Sequence, residues 1–125
     1  MIDHVSIGVR DLERAARFYQ AVLATIGYRR LREQPHTVGF GKTYPELWIN
    51  LRRSMTALDR DSGSHVAVRA PSVQAVDGFH AAALAAGGDC EGPPGPRPEY
   101  SPAYYAAFIR DPDGNRIEVV TFRKA

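Results

Sequence analysis

An α+β fold of two tandem βαβββ modules follows from three features of the 125-residue chain. The chain matches itself at one fixed offset. Each half opens with an alternating strand that runs into a capped amphipathic helix. Three further strand-like runs follow each helix.

An offset of 61 positions (65 − 4) lays His4-Val5-Ser6-Ile7 on His65-Val66-Ala67-Val68. The same offset pairs Leu12 with Val73, Ala15 with Val76, Phe18 with Phe79, Leu23 with Leu84 and Gly27 with Gly88. Self-similarity sustained over this length marks a tandem duplication. The modules span about 1–52 and 63–125, and together they are expected to form one domain, since a chain this short cannot bury two separate cores.

Residues 2–9 alternate, with Val5, Ile7 and Val9 on one face and His4, Ser6 and Gly8 on the other, the pattern of a half-buried strand. Asp11 can cap the helix that follows, whose apolar residues Leu12, Ala15, Ala16, Tyr19, Val22, Leu23 and Ile26 recur at helical spacing. Gly27 is suited to stop it. Strand-like runs follow at about 28–34, 36–41 and 46–52. Residues 53–62 read as the linker. The second module repeats the plan. A strand covers 63–70, Ser72 caps a helix with Val73, Val76, Phe79, Ala83 and Ala86 along one stripe, and Gly87-Gly88 ends it. Strands are expected at about 88–93, 104–110 and 115–122. The stretch Gly92-Pro93-Pro94-Gly95-Pro96-Arg97-Pro98 is expected to be a stiff loop, because its four prolines fix φ and withhold donors. Asp111-Pro112-Asp113-Gly114-Asn115 reads as a turn. It does not read as a calcium loop, since no bidentate acid follows at the right spacing and Arg116 would repel the cation.

Composition excludes several classes. The chain is 44% hydrophobic and 24% charged, which suits a folded globular protein. A net charge of +2, with only Arg29, Arg30 and Arg32 clustered, is too little for a nucleic-acid footprint, and that cluster reads as a solvated strand edge. No apolar run suits a membrane span. The chain begins directly at Ile2-Asp3-His4-Val5 without a basic leader, so a cytoplasmic location is expected. The lone Cys90 cannot form an internal disulfide, and flanking Asp89 and Glu91 argue against an activated thiolate.

Alternation also places polar side chains on the face of each sheet turned away from its helix. On the first strand that residue is His4, and on its repeat His65. In 46–52, Leu47, Ile49 and Leu51 should meet the helix, leaving Trp48, Asn50 and Arg52 opposite. In the last strand Ile117 and Val119 leave Glu118 opposite. Matching Ile49-Asn50-Leu51 with Ile117-Glu118-Val119 makes Asn50 the counterpart of Glu118, with loops seven residues longer in the second module (118 − 50 − 61). Two sheets curled face to face would bring His4, Asn50, His65 and Glu118 together. Two imidazoles and a carboxylate are a ligand set for a mononuclear metal with positions left for substrate. His36 and His80 do not share this pattern. Asn50, Trp48, Arg97, Tyr100, Tyr104 and Tyr105 are substrate-contact candidates.

The chain resembles the vicinal-oxygen-chelate superfamily, which includes glyoxalases, bleomycin-resistance proteins and dioxygenases. The residues that carry the resemblance are His4-Val5-Ser6-Ile7-Gly8-Val9 with Asp11-Leu12 and Phe18-Tyr19, then His65, then Asp111-Pro112-Asp113-Gly114-Asn115-Arg116-Ile117-Glu118. The resemblance implies sheets forming an incomplete barrel around a divalent cation (iron, manganese, zinc or nickel), often within a homodimer. It gives ligand roles to His4, His65 and Glu118. It also implies Lewis-acid chemistry on a small substrate chelated through vicinal oxygens. Asn50 departs from glyoxalase I enzymes, which are expected to place an acidic ligand and base there. A His/His/Glu set is similar to that of extradiol dioxygenases and fosfomycin-modifying thiol transferases, and Trp48 and Ser6 resemble positions near the latter's substrate. The alternative is a metal-free small-molecule or drug-binding protein using the same cavity.

Overall fold

The computed structural model describes residues 1–124. Its elements run in the expected order, βαβββ twice. The first module comprises β1 (Val5–Val9), α1 (Leu12–Ala24), β2 (Arg29–Gln34), β3 (Thr37–Gly41) and β4 (Leu47–Leu51). The second comprises β5 (Val66–Arg69), α2 (Val73–Ala85), β6 (Asp89–Pro96), β7 (Tyr104–Arg110) and β8 (Arg116–Phe122). Each module makes its own four-stranded sheet, ordered β1-β4-β3-β2 and β5-β8-β7-β6. No helix among the described residues is long and apolar enough to cross a membrane.

Local chemistry sets the boundaries. The Asp11 carboxylate accepts from the Arg14 amide at 3.1 Å and the Ser72 hydroxyl from the Ala75 amide at 3.1 Å, so each helix has the cap its sequence offers. Gly27 (φ +88°) and Gly87 (φ +103°) take the left-handed conformation that turns the chain out of each helix. Ala15, Ala16, Tyr19, Val22, Leu23 and Ile26 are buried as the stripe predicts. They join Val9, Leu47 and Ile49 from the first sheet and Val76, Phe79, Ile117 and Val119 from the second in one continuous core.

One expectation is corrected here. The proline-rich stretch is not a loop until after Pro96, because β6 continues through Gly92-Pro93-Pro94-Gly95-Pro96. This strand lies at the edge of its sheet, where a missing N–H disrupts pairing on one side only, and its register shifts twice on the way.

The modules are clasped by the turn after β7. Asp113, fully buried, accepts at one oxygen from the Arg10 amide (3.0 Å), Arg10 Nε (2.8 Å) and Arg14 Nη2 (3.2 Å). Asp111 accepts from the buried Tyr19 hydroxyl at 2.6 Å and from the Asn115 side chain at 2.8 Å, while Asn115 Nδ2 also reaches the Gly8 carbonyl at 2.9 Å. Burial raises the Asp111 pKa above its ordinary value, against the opposing pull of the Tyr19 and Asn115 bonds. The Tyr19 pKa is raised well above its ordinary value by burial and by the facing Asp111 charge, so the phenol remains a donor. Tyr19→Phe therefore leaves a buried carboxylate one donor short and should cost about 1–3 kcal/mol near neutral pH. The lost bond favours ionised Asp111, so the penalty should shrink as pH falls through the raised titration range of that group. Urea unfolding of both proteins over a pH series checks this; a penalty independent of pH would mean that Asp111 is not the partner that matters.

Candidate functional site

The inner face of the second sheet, turned away from α2, carries Tyr104, Ala106, Phe108, Glu118 and Val120. Ala106, Phe108 and Val120 pack there as a small apolar cluster separate from the main core, with Tyr104 against it. Glu118 is 3% exposed on this face. One of its oxygens lies 3.0 Å from His65 Nε2, and the other accepts from the Tyr104 hydroxyl. With Glu118 ionised, both partners must donate, which assigns the proton to Nε2. Burial, and then the bond to Glu118, push the Tyr104 phenol up to about 12, so it is protonated at neutral pH. Tyr100 lies edge-on to the Tyr104 ring at 5.0 Å and is exposed at its rim. The Arg97 guanidinium lies 5.7 Å from the Phe108 ring centre.

His4 does not join this cluster within one chain. It precedes β1, its side chain is 50% exposed, and its ring pairs with Asp3 at 2.7 Å. Among the described residues no three His, Cys, Asp or Glu side chains are grouped closely enough to hold a metal. Symmetry explains the separation. β1 and β5 are each an edge strand of their sheet, and residues of both line the pockets at the seam between modules. His65 shares a seam pocket with Val5, Ser6 and Ile7, whereas His4 shares another with Ala67, Val68 and Arg69. The two strands thus run in opposite senses, and the duplicated histidines stand at opposite ends of the seam. The expected convergence of all four polar positions does not occur in a single chain.

Strand register corrects a second reading. In the second module Ala67 pairs with Glu118, and in the first Ser6 pairs with Trp48. Ser6 and Ala67 are repeat partners, so Trp48, not Asn50, is the structural counterpart of Glu118. The intervening segments differ by nine residues (118 − 48 − 61), not seven. Asn50 lies two positions further along, opposite Gly8, where its Oδ1 accepts from the Thr37 hydroxyl at 2.6 Å. Tyr105 is also removed from the inner face, because it packs against the main core and donates to Asp77 of α2 at 2.7 Å. Neighbouring residues on a strand face opposite ways, so only one of Tyr104 and Tyr105 could point inward.

A residue that the sequence reading passed over as a possible contact is Arg116, whose guanidinium lies 4.7 Å from the centre of the same Phe108 ring. Its position two residues before Glu118 on one strand was the available signal. His65 and His4 should also differ in their structural weight. Removing His65 deprives a buried carboxylate of a donor and should cost about 1 kcal/mol or more, while His4→Ala should stay within about 0.5 kcal/mol. Chemical denaturation of the two variants measures the difference; equal costs would show that the His65–Glu118 contact carries no stability.

A family model for the Glyoxalase/Bleomycin resistance protein/Dioxygenase superfamily matches residues 1–119. Among solved structures, a glyoxalase/bleomycin resistance protein from Albidiferax ferrireducens T118 is 34% identical, with a TM-score of 0.83 over 94% of this chain and 96% of that one. A glyoxalase/bleomycin resistance protein/dioxygenase family enzyme from Burkholderia phytofirmans PsJN has a TM-score of 0.73 at 21% identity, covering 95% and 96% of the two chains. A fosfomycin resistance protein from Mesorhizobium loti has one of 0.70 at 22% identity, covering 97% and 91%. The last two likenesses show the fold alone. No curated protein matches significantly. With its duplicated modules, its inner-face carboxylate and a family match over nearly its whole length, the chain belongs to the Glyoxalase/Bleomycin resistance protein/Dioxygenase superfamily.

Proposed function

We propose that the protein is a metal-dependent enzyme acting on a small oxygenated substrate, and that it works as a homodimer in which His65 and Glu118 of one copy and His4 of the other hold a divalent cation. The observation that carries this reading is the environment of Glu118. Its carboxylate is buried, its two contacts are an imidazole and a phenol, and no Lys or Arg pairs with it among the described residues. A buried carboxylate without a cationic partner is costly, and an ion beside it offsets that cost. Imidazole and carboxylate donors suit iron, manganese, zinc or nickel. Once bound, such a cation supplies Lewis-acid polarisation of a substrate oxygen.

The chain's own groups have definable parts. Tyr104 donates to Glu118 and holds the orientation of its carboxylate. Trp48 supplies an apolar wall where the first module would otherwise carry a second acid. Asn50, tied to Thr37, has its carbonyl oxygen already engaged. His4 is exposed in its own chain, and neighbouring Met1 and Ile2 are exposed apolar residues suited to cover by a second copy. A second reading, a metal-free binder of small molecules, is favoured by the mutual satisfaction of His65, Glu118 and Tyr104 without any ion.

Metal analysis of protein purified without chelator, followed by calorimetric titration of divalent ions, separates the two readings. Glu118→Gln, His65→Ala and His4→Ala should each weaken binding by about tenfold or more, and Asn50→Ala should change it little. Binding should weaken toward acid pH, since protons compete for the same lone pairs. Mixing His4→Ala chains with Glu118→Gln chains should restore tight binding at a share of the sites, which a site within one chain could not do. Sedimentation at micromolar concentration should show a dimer. No binding by any form would leave the metal-free reading.

Trp48→Glu, not Asn50→Glu, should create a fourth ligand and tighten nickel or zinc binding. Tighter binding by Asn50→Glu alone would show that the register was misassigned.

A further inference from the structure

Phe108 sits on the inner face at 6% exposure, and two guanidinium groups rest on its ring. Arg116 lies 4.7 Å and Arg97 5.7 Å from the ring centre, and the His65 ring meets it edge-on at 6.0 Å. Arg97, just past the end of β6, is folded back onto that strand, donating to the carbonyls of Pro93 (2.8 Å), Gly95 (3.0 Å) and Pro96 (3.4 Å). The strand leaves room for it. A Cβ at Gly92 would stand 3.0 Å from the Phe108 ring and 3.3 Å from Arg97 Nη2, and one at Gly95 would stand 3.3 Å from Nη1. Carbonyl contacts satisfy the Arg97 donors without neutralising its charge.

Neither Arg97 nor Arg116 forms an ion pair with a carboxylate among the described residues, and Glu118, on the same face, is engaged by His65 and Tyr104 instead. Arg110, near the end of the same face, shows the contrast: its guanidinium bonds Glu91 and two backbone carbonyls. Beside Arg116 lies a seam pocket of about 230 Å³, lined partly by apolar side chains such as Leu58 and partly by Ser6, Ser62, Ser64, His65 and Asn115; Arg97 does not line it. That volume is below the range of about 300–1,000 Å³ for whole-ligand pockets, so it suits one end of a ligand.

We infer that Arg116, with Arg97 sharing the Phe108 ring, forms an oxyanion subsite, and that the substrate carries a carboxylate or phosphate group. A guanidinium fork matches two oxygens of either group, and an aromatic base shields that contact from water. The hydroxyls and imidazole of the pocket add further donors. The inference rests on reading the inner face as the substrate site, but the charge of the pocket does not depend on a bound metal. Its test can therefore be run without one.

Chelator-treated full-length protein is titrated with inorganic phosphate and, separately, with malonate, following backbone amide and arginine Nε resonances by NMR. The expected result is saturable binding in the millimolar range, centred on Arg116, His65 and Ser64 and weakened by salt. The tighter of the two probes identifies the group. Arg116→Gln should weaken that binding by about tenfold, and Arg97→Gln by less. Shifts centred elsewhere, such as on the Arg29–Arg32 edge, would overturn the inference with no variant needed. So would an unsaturated titration, or an affinity for Arg116→Gln within about twofold of the parent. Divalent-ion titration of the same samples separates the two readings. Retained oxyanion binding without metal binding would defeat the metal assignment alone, and the reverse would defeat the subsite alone.

Discussion

The buried acids of the turn between β7 and β8 determine where everything else sits. Asp113 grips Arg10 and Arg14 at the start of the first helix, Asp111 grips Tyr19 in its middle, and Asn115 holds the Gly8 carbonyl near the end of β1. These bonds join residues about a hundred positions apart, so they fix one module against the other. Such burial is tolerable only because the donors converge: a carboxylate taken from water without them would be destabilising by several kcal/mol. Glu118 is three residues beyond Asn115 and inherits its position from the same clasp. The candidate site is thus aligned by a polar network whose Asn115 also lines the seam pocket.

Duplication supplies the second constraint. Two like modules joined about a seam carry like residues at opposite ends of it, so repeated histidines are separated rather than paired. In the proposed dimer, a second copy of the chain would bring one end of its seam to the opposite end of the first copy's seam. The modules have also diverged. The second presents an acid, a phenol and two guanidinium groups, whereas the first presents Trp48 and the Thr37–Asn50 pair. Among the inner-face groups, the ionisable ones are thus concentrated in the second module.

Much of this was legible in the sequence, for identifiable reasons. Caps, glycine stops and the buried stripes are local properties, and the structure follows them at Asp11, Ser72 and Gly27. The inner-face assignment of Glu118 and His65 followed from alternation alone. The pairing of Asn50 with Glu118 failed because a two-residue slip leaves every side chain on its original face. Ile-Asn-Leu and Leu-Trp-Ile fit that rule equally well, and only hydrogen-bond register distinguishes them. The β6 prolines misled because their cost depends on whether a strand lies at an edge, which is a tertiary fact. The turn itself was readable, but its partners Arg10, Arg14 and Tyr19 were too distant in sequence to be named.

The inner face holds a tension that links its two proposed ligands. Glu118 and His65 would favour a divalent cation, yet Arg97 and Arg116 add positive charge on the same face, and like charges in a partly dehydrated site repel strongly. A cation alone would bind against that repulsion, and an oxyanion alone would bind near an uncompensated carboxylate. Each ligand relieves the cost of the other, so their binding would be mutually reinforcing, and linkage requires the gain to be equal in both directions. On this account the arginines would do more than attract a substrate: they would oppose a cation beside Glu118 until the substrate's own charge offset theirs.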